Sequence, residues 1–197
     1  MAGGIGSRFW PMSTPEVPKQ FIDVLGTGRT MIQMTCDRFC KGEGALCKPQ
    51  NVWIVTSEKY VDLVRGQLPE VPEANILPEP ASRNTAPCIA YACWKIARVN
   101  PDSNIVVSPA DAFVLDSAEY RRVIGTALSL TASSTRIFTV GIKPLRPETG
   151  YGYIETGEAL GEEAFKVTAF KEKPDAPTAA KYIRDGRYLR NAGIFVW

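Results

Sequence analysis

The 197-residue chain is 45% hydrophobic and 22% charged with a formal net charge of +2, the make-up of an ordinary globular protein with one sizeable core. So even a balance excludes the extended positive footprint that a nucleic acid polymer needs, and any phosphate must be met by a few placed cations. Histidine is absent, which removes Ser-His and Cys-His nucleophile pairs, imidazole acid–base chemistry and His-containing zinc sites.

The chain opens on a glycine-rich loop, AGGIGSRFWPMSTPEVPKQF. Met31 to Lys41 then reads as a helix with Met31, Met34, Cys36 and Phe39 on its apolar side. NVWIVTS, from Asn51 to Ser57, is a short buried-strand pattern, EKYVDLVRGQL returns to helical spacing, and NILPEP is a strand ending in prolines. NTAPCIAYACWKIARVN predicts a helix with Ala86, Ile89, Ala90, Cys93, Ile96 and Ala97 on one stripe, capped by Asn84 or Thr85 with Pro87 in the first turn. NIVVSPAD is a buried strand, SAEYRRVIGTALSLTASS a helix capped by Ser117, and RIFTVGI the next strand. From Tyr151 the rhythm changes: GYGYIETG and AFKVTAFKEKP read as longer paired strands, followed by a helix from Pro177 to Arg184 and a last strand. The expected fold class is α/β, a Rossmann-like mixed, mostly parallel sheet flanked by helices, with an added antiparallel part.

The cysteines, Cys36, Cys40, Cys47, Cys88 and Cys93, contain no CxxC pair. An odd, loosely spaced set fits the reduced thiols of a cytoplasmic protein better than a disulfide framework, and Cys88 and Cys93 fit as small hydrophobes in a helix. No signal peptide and no apolar run long enough to span a bilayer is present, so no membrane partner is expected.

In a parallel α/β sheet ligands gather at the carboxyl ends of strands, where this pattern puts the opening loop, Glu79 to Asn84, Ser108 to Asp111 and Glu148 to Tyr153. Gly3, Gly4 and Gly6 let main-chain N–H groups approach an anion, leaving residual charge for Arg8 and Lys19. Arg8 offers a planar fork and Lys19 a mobile point charge. A plain glycine turn with two solvated cations is the alternative. GGIGSRFWP has Arg where a dinucleotide fingerprint has its third glycine, and it lacks the Gly-Lys-Ser/Thr of a Walker loop, so a phosphate loop of another kind remains.

AGGIGSRFWPMSTPEVPKQF, EPASRNTAP, VVSPAD, ETGYGYI, FKEKP and NAGIFVW stand in the order of the signatures of the sugar-nucleotide pyrophosphorylases, and the chain closely resembles that sugar nucleotidyltransferase family over almost its whole length. The resemblance implies the nucleotide-diphospho-sugar transferase type of fold, with the antiparallel part binding sugar. PKQF resembles the branch that uses GTP and mannose 1-phosphate, which implies transfer of GMP with release of pyrophosphate and Mg²⁺ as cofactor. The nucleophile there is already an anion, so the missing histidine is compatible. By resemblance Arg8, Lys19 and Asp111 are catalytic, with Asp111 the metal ligand. Ala2, Gly3, Gly4, Gly6, Ser7, Arg83, Asn84, Thr85, Pro109 and Ala110 face the nucleotide. Gly150, Tyr151, Gly152, Glu172, Lys173, Asn191 and Gly193 face the sugar, with Glu148 in the same wall. A loop-surface lysine, a turn-capping aspartate and an exposed charged strand end are the plain alternatives for Lys19, Asp111 and the Glu172–Lys173 pair.

The family pattern places His after the aspartate of VVSPAD, whereas this chain has Ala112, which puts that residue's supporting contact in doubt. Both edges read as cut, the first on the glycine loop and the second inside a strand-like run. Residues 1–197 are therefore expected to form a single nucleotidyltransferase catalytic domain, incomplete at both ends, with a second metal carboxylate beyond Trp197. A related enzyme with another sugar or base, or a non-catalytic nucleotide-sugar sensor, stays open as an alternative, and so does a homodimer.

Overall fold

A computed structural model describes residues 1–3, 9–81, 83–161 and 163–197. It resolves into two compact units, Met1–Arg136 with Val196–Trp197, and Ile137–Phe195. Strands and helices mix as the alternation predicts.

The first unit contains α1 (Met31–Cys40), β1 (Ile54–Ser57), α2 (Val61–Gln67), β2 (Ile76–Glu79), α3 (Thr85–Ala97), β3 (Val106–Val107) and α4 (Ser117–Thr131). β1 and β2 run parallel, with Ile54 opposite Ile76 and Ser57 opposite Glu79. Parallel neighbours cannot be joined by a tight turn, and α2 supplies the crossover. The first residues lie between two of these segments: the Ala2 N–H donates to Val55 O at 2.8 Å, and the Ala110 N–H donates to Met1 O at 3.0 Å. Immediately before β3, Ile105 exchanges both main-chain hydrogen bonds with Trp197, at 2.7 and 3.1 Å.

The core of this unit joins Phe21, Ile32 and Cys36 to Ile54, Tyr60, Val64, Leu68 and Ile76, with Ala2 and Ala110 at its edge. Full burial of one such side chain, Ile32 for instance, is worth about 1.5–3 kcal/mol before entropy is charged. The start of α1 is fixed by side chains, since the Thr30 N–H donates to Gln33 Oε1 at 3.0 Å and Gln33 Nε2 to Gln67 O at 2.8 Å.

Three local expectations are corrected. The cap of α4 is Asp116, whose carboxylate accepts from the Glu119 N–H at 2.9 Å, and Ser117 is the first helical residue. Asn84 does stand at the N-cap of α3, but its side chain makes no capping bond. The stripe expected on α3 is also displaced: Ala86, Ala90 and Ala97 are exposed, while Cys88 is buried with Tyr91 and Ala92 packed beside it.

The second unit holds β4 (Phe138–Ile142), β5 (Tyr153–Ala159), β6 (Phe165–Lys171), α5 (Ala176–Asp185) and most of β7 (Tyr188–Val196). β5 pairs antiparallel with β6 and with β7, so the added antiparallel part is present. Tyr153 and Ala179 are fully buried here, and Tyr182 stacks on Tyr188 at 4.1 Å between centroids. Asp175 caps α5 and Gly186 ends it in the left-handed conformation. No helix among the described residues is long and apolar enough to cross a membrane.

Candidate functional site

In the first unit the site is built around the Ala2 carbonyl, which accepts from Gln20 Nε2 at 2.9 Å and from Thr56 Oγ1 at 3.0 Å. Both donors are buried, so the base of the opening loop is pinned from two directions. Gln20 belongs to the short turn Lys19–Phe21 that follows buried Pro18, and this turn presents Lys19. Lys19 Nζ lies 2.5 Å from Asp111 Oδ2, with the two side chains 24% and 35% exposed. Lys19 also lies 5.5 Å from the centroid of the Phe9 ring.

A cavity of about 250 Å³ opens beside this pair. Of the sequence-predicted residues, Ala2, Gly3, Asn84, Thr85, Ala110 and Asp111 line it. Arg83 and Pro109 do not, and Gly4, Gly6, Ser7 and Arg8 lie outside the described residues. The N-terminus of α3 reaches the cavity at Asn84 and Thr85, so the positive end of the helix dipole lies at its wall. Asn84 has φ of +67°, a sparsely populated backbone for a side-chain-bearing residue.

Four lining residues were not among the sequence-predicted site residues: Met1, Gln20, Glu79 and Cys88. Glu79 ends β2, and its only signal was that strand-end position. Burial first, and then the neighbouring Glu79 carboxylate, pushes the Cys88 thiol up, so Cys88 is a packed side chain and a poor nucleophile. A larger cavity of about 770 Å³ in the same unit is walled mainly by core side chains such as Ile32, Ile54, Ala92 and Leu128, and it includes neither Lys19 nor Asp111. Charge and convergent polar groups mark the smaller cavity as the chemical one.

The second unit assembles its own set. The Asn191 N–H donates to Gly152 O at 2.9 Å, and Asn191 Oδ1 accepts from the Gly193 N–H at 2.8 Å. Gly193 has φ of +70°, which a side chain would strain. Glu172 Oε2 stands 3.4 Å from where a Cβ on Gly152 would lie, so Gly152, Glu172 and Asn191 form one local group. Lys173 turns back on Glu172 at 3.2 Å, with φ of +29°. Tyr151 carries Arg190 at 4.9 Å over its ring, and the Glu148 N–H donates to the buried Tyr153 hydroxyl at 3.0 Å. Gly150 is half-buried beside them in sequence.

The family model for nucleotidyl transferases matches residues 1–197. The chain is 38% identical over 201 residues to the mannose-1-phosphate guanylyltransferase RfbM of Salmonella typhimurium and 40% identical over 205 residues to a mannose-1-phosphate guanylyltransferase of Escherichia coli K12. Both matches take in all of this chain but only 40% and 41% of those proteins, so the chain spans about two fifths of the length of these relatives. Among solved structures it superposes on one titled mannose-1-phosphate geranyltransferase, from Thermus thermophilus, with a TM-score of 0.87, 32% identity and coverage of 100% of this chain and 55% of that one. A UDP-glucose pyrophosphorylase complex at 15% identity and a TM-score of 0.57 shares the fold.

Proposed function

The chain belongs to the nucleotidyl transferase family, and from that premise we propose that it transfers GMP from GTP to mannose 1-phosphate, releasing pyrophosphate and forming GDP-mannose. The observation that carries this reading is the Lys19–Asp111 pair beside a cavity lined by Ala2, Gly3 and Asp111, with the Ala2 carbonyl pinned by Gln20 and Thr56. The relatives that bear this activity in their names are similar over the whole of this chain.

In this reading the triphosphate lies along the opening loop and the N-terminus of α3, with Arg8 on the departing β,γ oxygens. An oxygen of mannose 1-phosphate attacks the α-phosphorus in line, and no base is needed because the attacking group is already anionic. Lys19 lowers the repulsion between the two anions as they meet. Asp111 suits Mg²⁺, which takes one or two carboxylates and fills its remaining positions with phosphate oxygens and water. When bound, Mg²⁺ would neutralise charge on the phosphates. Until then, Lys19 keeps the Asp111 carboxylate paired.

Glu79 offers two acceptor oxygens in the same cavity, and guanine presents the adjacent N1–H and N2–H₂ donors that such a carboxylate fits. The mannose end falls to Gly150, Tyr151, Gly152, Glu172, Lys173, Asn191 and Gly193, with residues 1–197 serving as one catalytic domain. Free thiols at all five cysteines fit a reducing cytoplasm.

The test is a pyrophosphate-release assay with Mg²⁺, mannose 1-phosphate and, in turn, GTP, ITP and ATP, repeated with other sugar 1-phosphates. Release with GTP and mannose 1-phosphate is expected, weaker with ITP, which lacks the 2-amino group, and weakest with ATP. Nucleotide binding without release in any combination would make the protein a sensor, and a preference for another sugar or base would reassign the substrates.

A further inference from the structure

The segment after β3 that carries Asp111 is gripped from outside the cavity by α1 and α4. Arg38, only 4% exposed, donates from Nη2 to Ala112 O at 3.1 Å. Its guanidinium lies 5.0 Å from the centre of the Tyr120 ring, and the Tyr120 hydroxyl is 3.4 Å from Ser108 Oγ. Arg38 and Tyr120 thus hold both ends of the stretch Ser108–Ala112, with Asp111 inside it. Tyr120 is itself set edge-on against Phe39, and the main-chain carbonyl of Arg38 accepts from Arg121 Nη1 at 3.3 Å.

Stability alone does not account for this arrangement. A buried guanidinium is costly unless its hydrogen bonds are met, and Arg38 Nη1 has no hydrogen-bond partner among the described residues. A well-packed apolar side chain would serve a purely structural contact at least as well. What Arg38 supplies that an apolar residue cannot is a directed donor to the carbonyl immediately after Asp111. Ala112 has no side chain that could make such a contact, so the support enters through its main chain.

We propose that Arg38 and Tyr120 are positioning residues that fix Asp111 opposite Lys19, so that turnover depends on them although neither touches the cavity. The catalytic part of this claim rests on the reading under Proposed function; the geometric part does not.

Three variants test it: Arg38→Met, which keeps the bulk without the donors; Arg38→Lys, which keeps one donor; and Tyr120→Phe, which keeps the ring without the hydroxyl. Crystals of each are compared with wild-type crystals for the Lys19 Nζ–Asp111 Oδ2 distance, and kcat, KM and Tm are measured alongside. In Arg38→Met the distance is expected to exceed 4 Å and kcat to fall about 10- to 100-fold, with KM for GTP within about threefold and Tm unchanged or higher. Arg38→Lys should recover most of the loss, and Tyr120→Phe should fall between. A preserved ion pair with kcat within twofold of wild type in Arg38→Met overturns the proposal. Should that variant not fold, an unaltered pair and kcat in both Arg38→Lys and Tyr120→Phe overturn it equally. If the wild type turns over no nucleotide, the functional reading fails, and the crystallographic distance still decides whether Arg38 positions Asp111.

Discussion

The two units hold their candidate residues by different means. In the first, groups far apart in sequence converge: Ala2 is pinned by buried Gln20 and Thr56, and Lys19 meets Asp111. The Ala2 contacts are anchored in core, and buried Gln20 stands next to Lys19 in the same turn, so moving one group disturbs the others. In the second, most ties are short in sequence: Asn191 to Gly193, Lys173 to the adjacent Glu172, and β6 exposed along most of its length. The Asn191–Gly152 main-chain bond, the approach of Glu172 to Gly152 and Arg190 over the Tyr151 ring join segments distant in sequence there. On the proposed function, the phosphate chemistry would therefore sit where packing resists change, and sugar recognition where single substitutions can alter it at low structural cost.

That contrast breaks most visibly at Lys19. On the proposed function, Lys19→Ala would remove one electrostatic stabiliser of the phosphates while leaving the turn Lys19–Phe21 with its buried Gln20 and Phe21. A fall in kcat of about 100-fold or more is expected, with a melting profile like that of the wild type. Steady-state kinetics beside a thermal melt checks it. Turnover near the wild-type rate would remove Lys19 from the mechanism and reduce the first unit's ion pair to a loop contact.

A smaller and differently shaped effect is expected at Glu172. Its side chain is exposed, so Glu172→Gln costs no packing and changes only what the carboxylate can accept. KM for mannose 1-phosphate should rise about tenfold, in the range of one lost charge-assisted hydrogen bond, while KM for GTP stays put. Equal changes in both constants would mean that the second unit does not handle the sugar separately, and the contrast between the units would lose its functional meaning.

Much of this was legible in residue order, and the misses have physical causes. The paired strands after Tyr151 were visible because β-branched and aromatic residues recur there between turn signals. The helix from Met31 was visible through its apolar spacing. The α3 stripe was misplaced because it leaned on Ala86, Ala90 and Ala97, side chains too small to say which face is covered. Asp116 and Ser117 are both good caps, and sequence alone could not rank neighbours. In the site, Lys19 and Asp111 were legible as types of residue, but their contact is long-range and no local pattern encodes it. Arg38 was hidden because a charged residue in a helix reads as solvent-facing, and here it is buried.

The smallest effect compares one device in both units. Asp116 caps α4 by accepting from the Glu119 N–H at 2.9 Å, and Asp175 caps α5 by accepting from the Thr178 N–H at 2.8 Å. Asp116→Ala and Asp175→Ala should each lower Tm by a few degrees at pH 7, since each leaves helix N–H groups without an internal partner. If the two units melt as one cooperative block, both variants shift a single transition; if they melt separately, each shifts only its own, which differential scanning calorimetry resolves. Hydrogen bonds from Thr178, side chain first and then main chain, hold the Asp175 carboxyl below its ordinary value of 3.8. A depressed folded-state pKa contributes stability above the unfolded value and loses it as pH falls through the folded one. The Tm difference between wild type and Asp175→Ala should therefore be full at pH 6, shrink below about pH 4 and vanish once the folded carboxyl is protonated. A difference that persists unchanged into that acid range would mean that the aspartate acts through packing or backbone preference, and the cap would then contribute nothing as a charge.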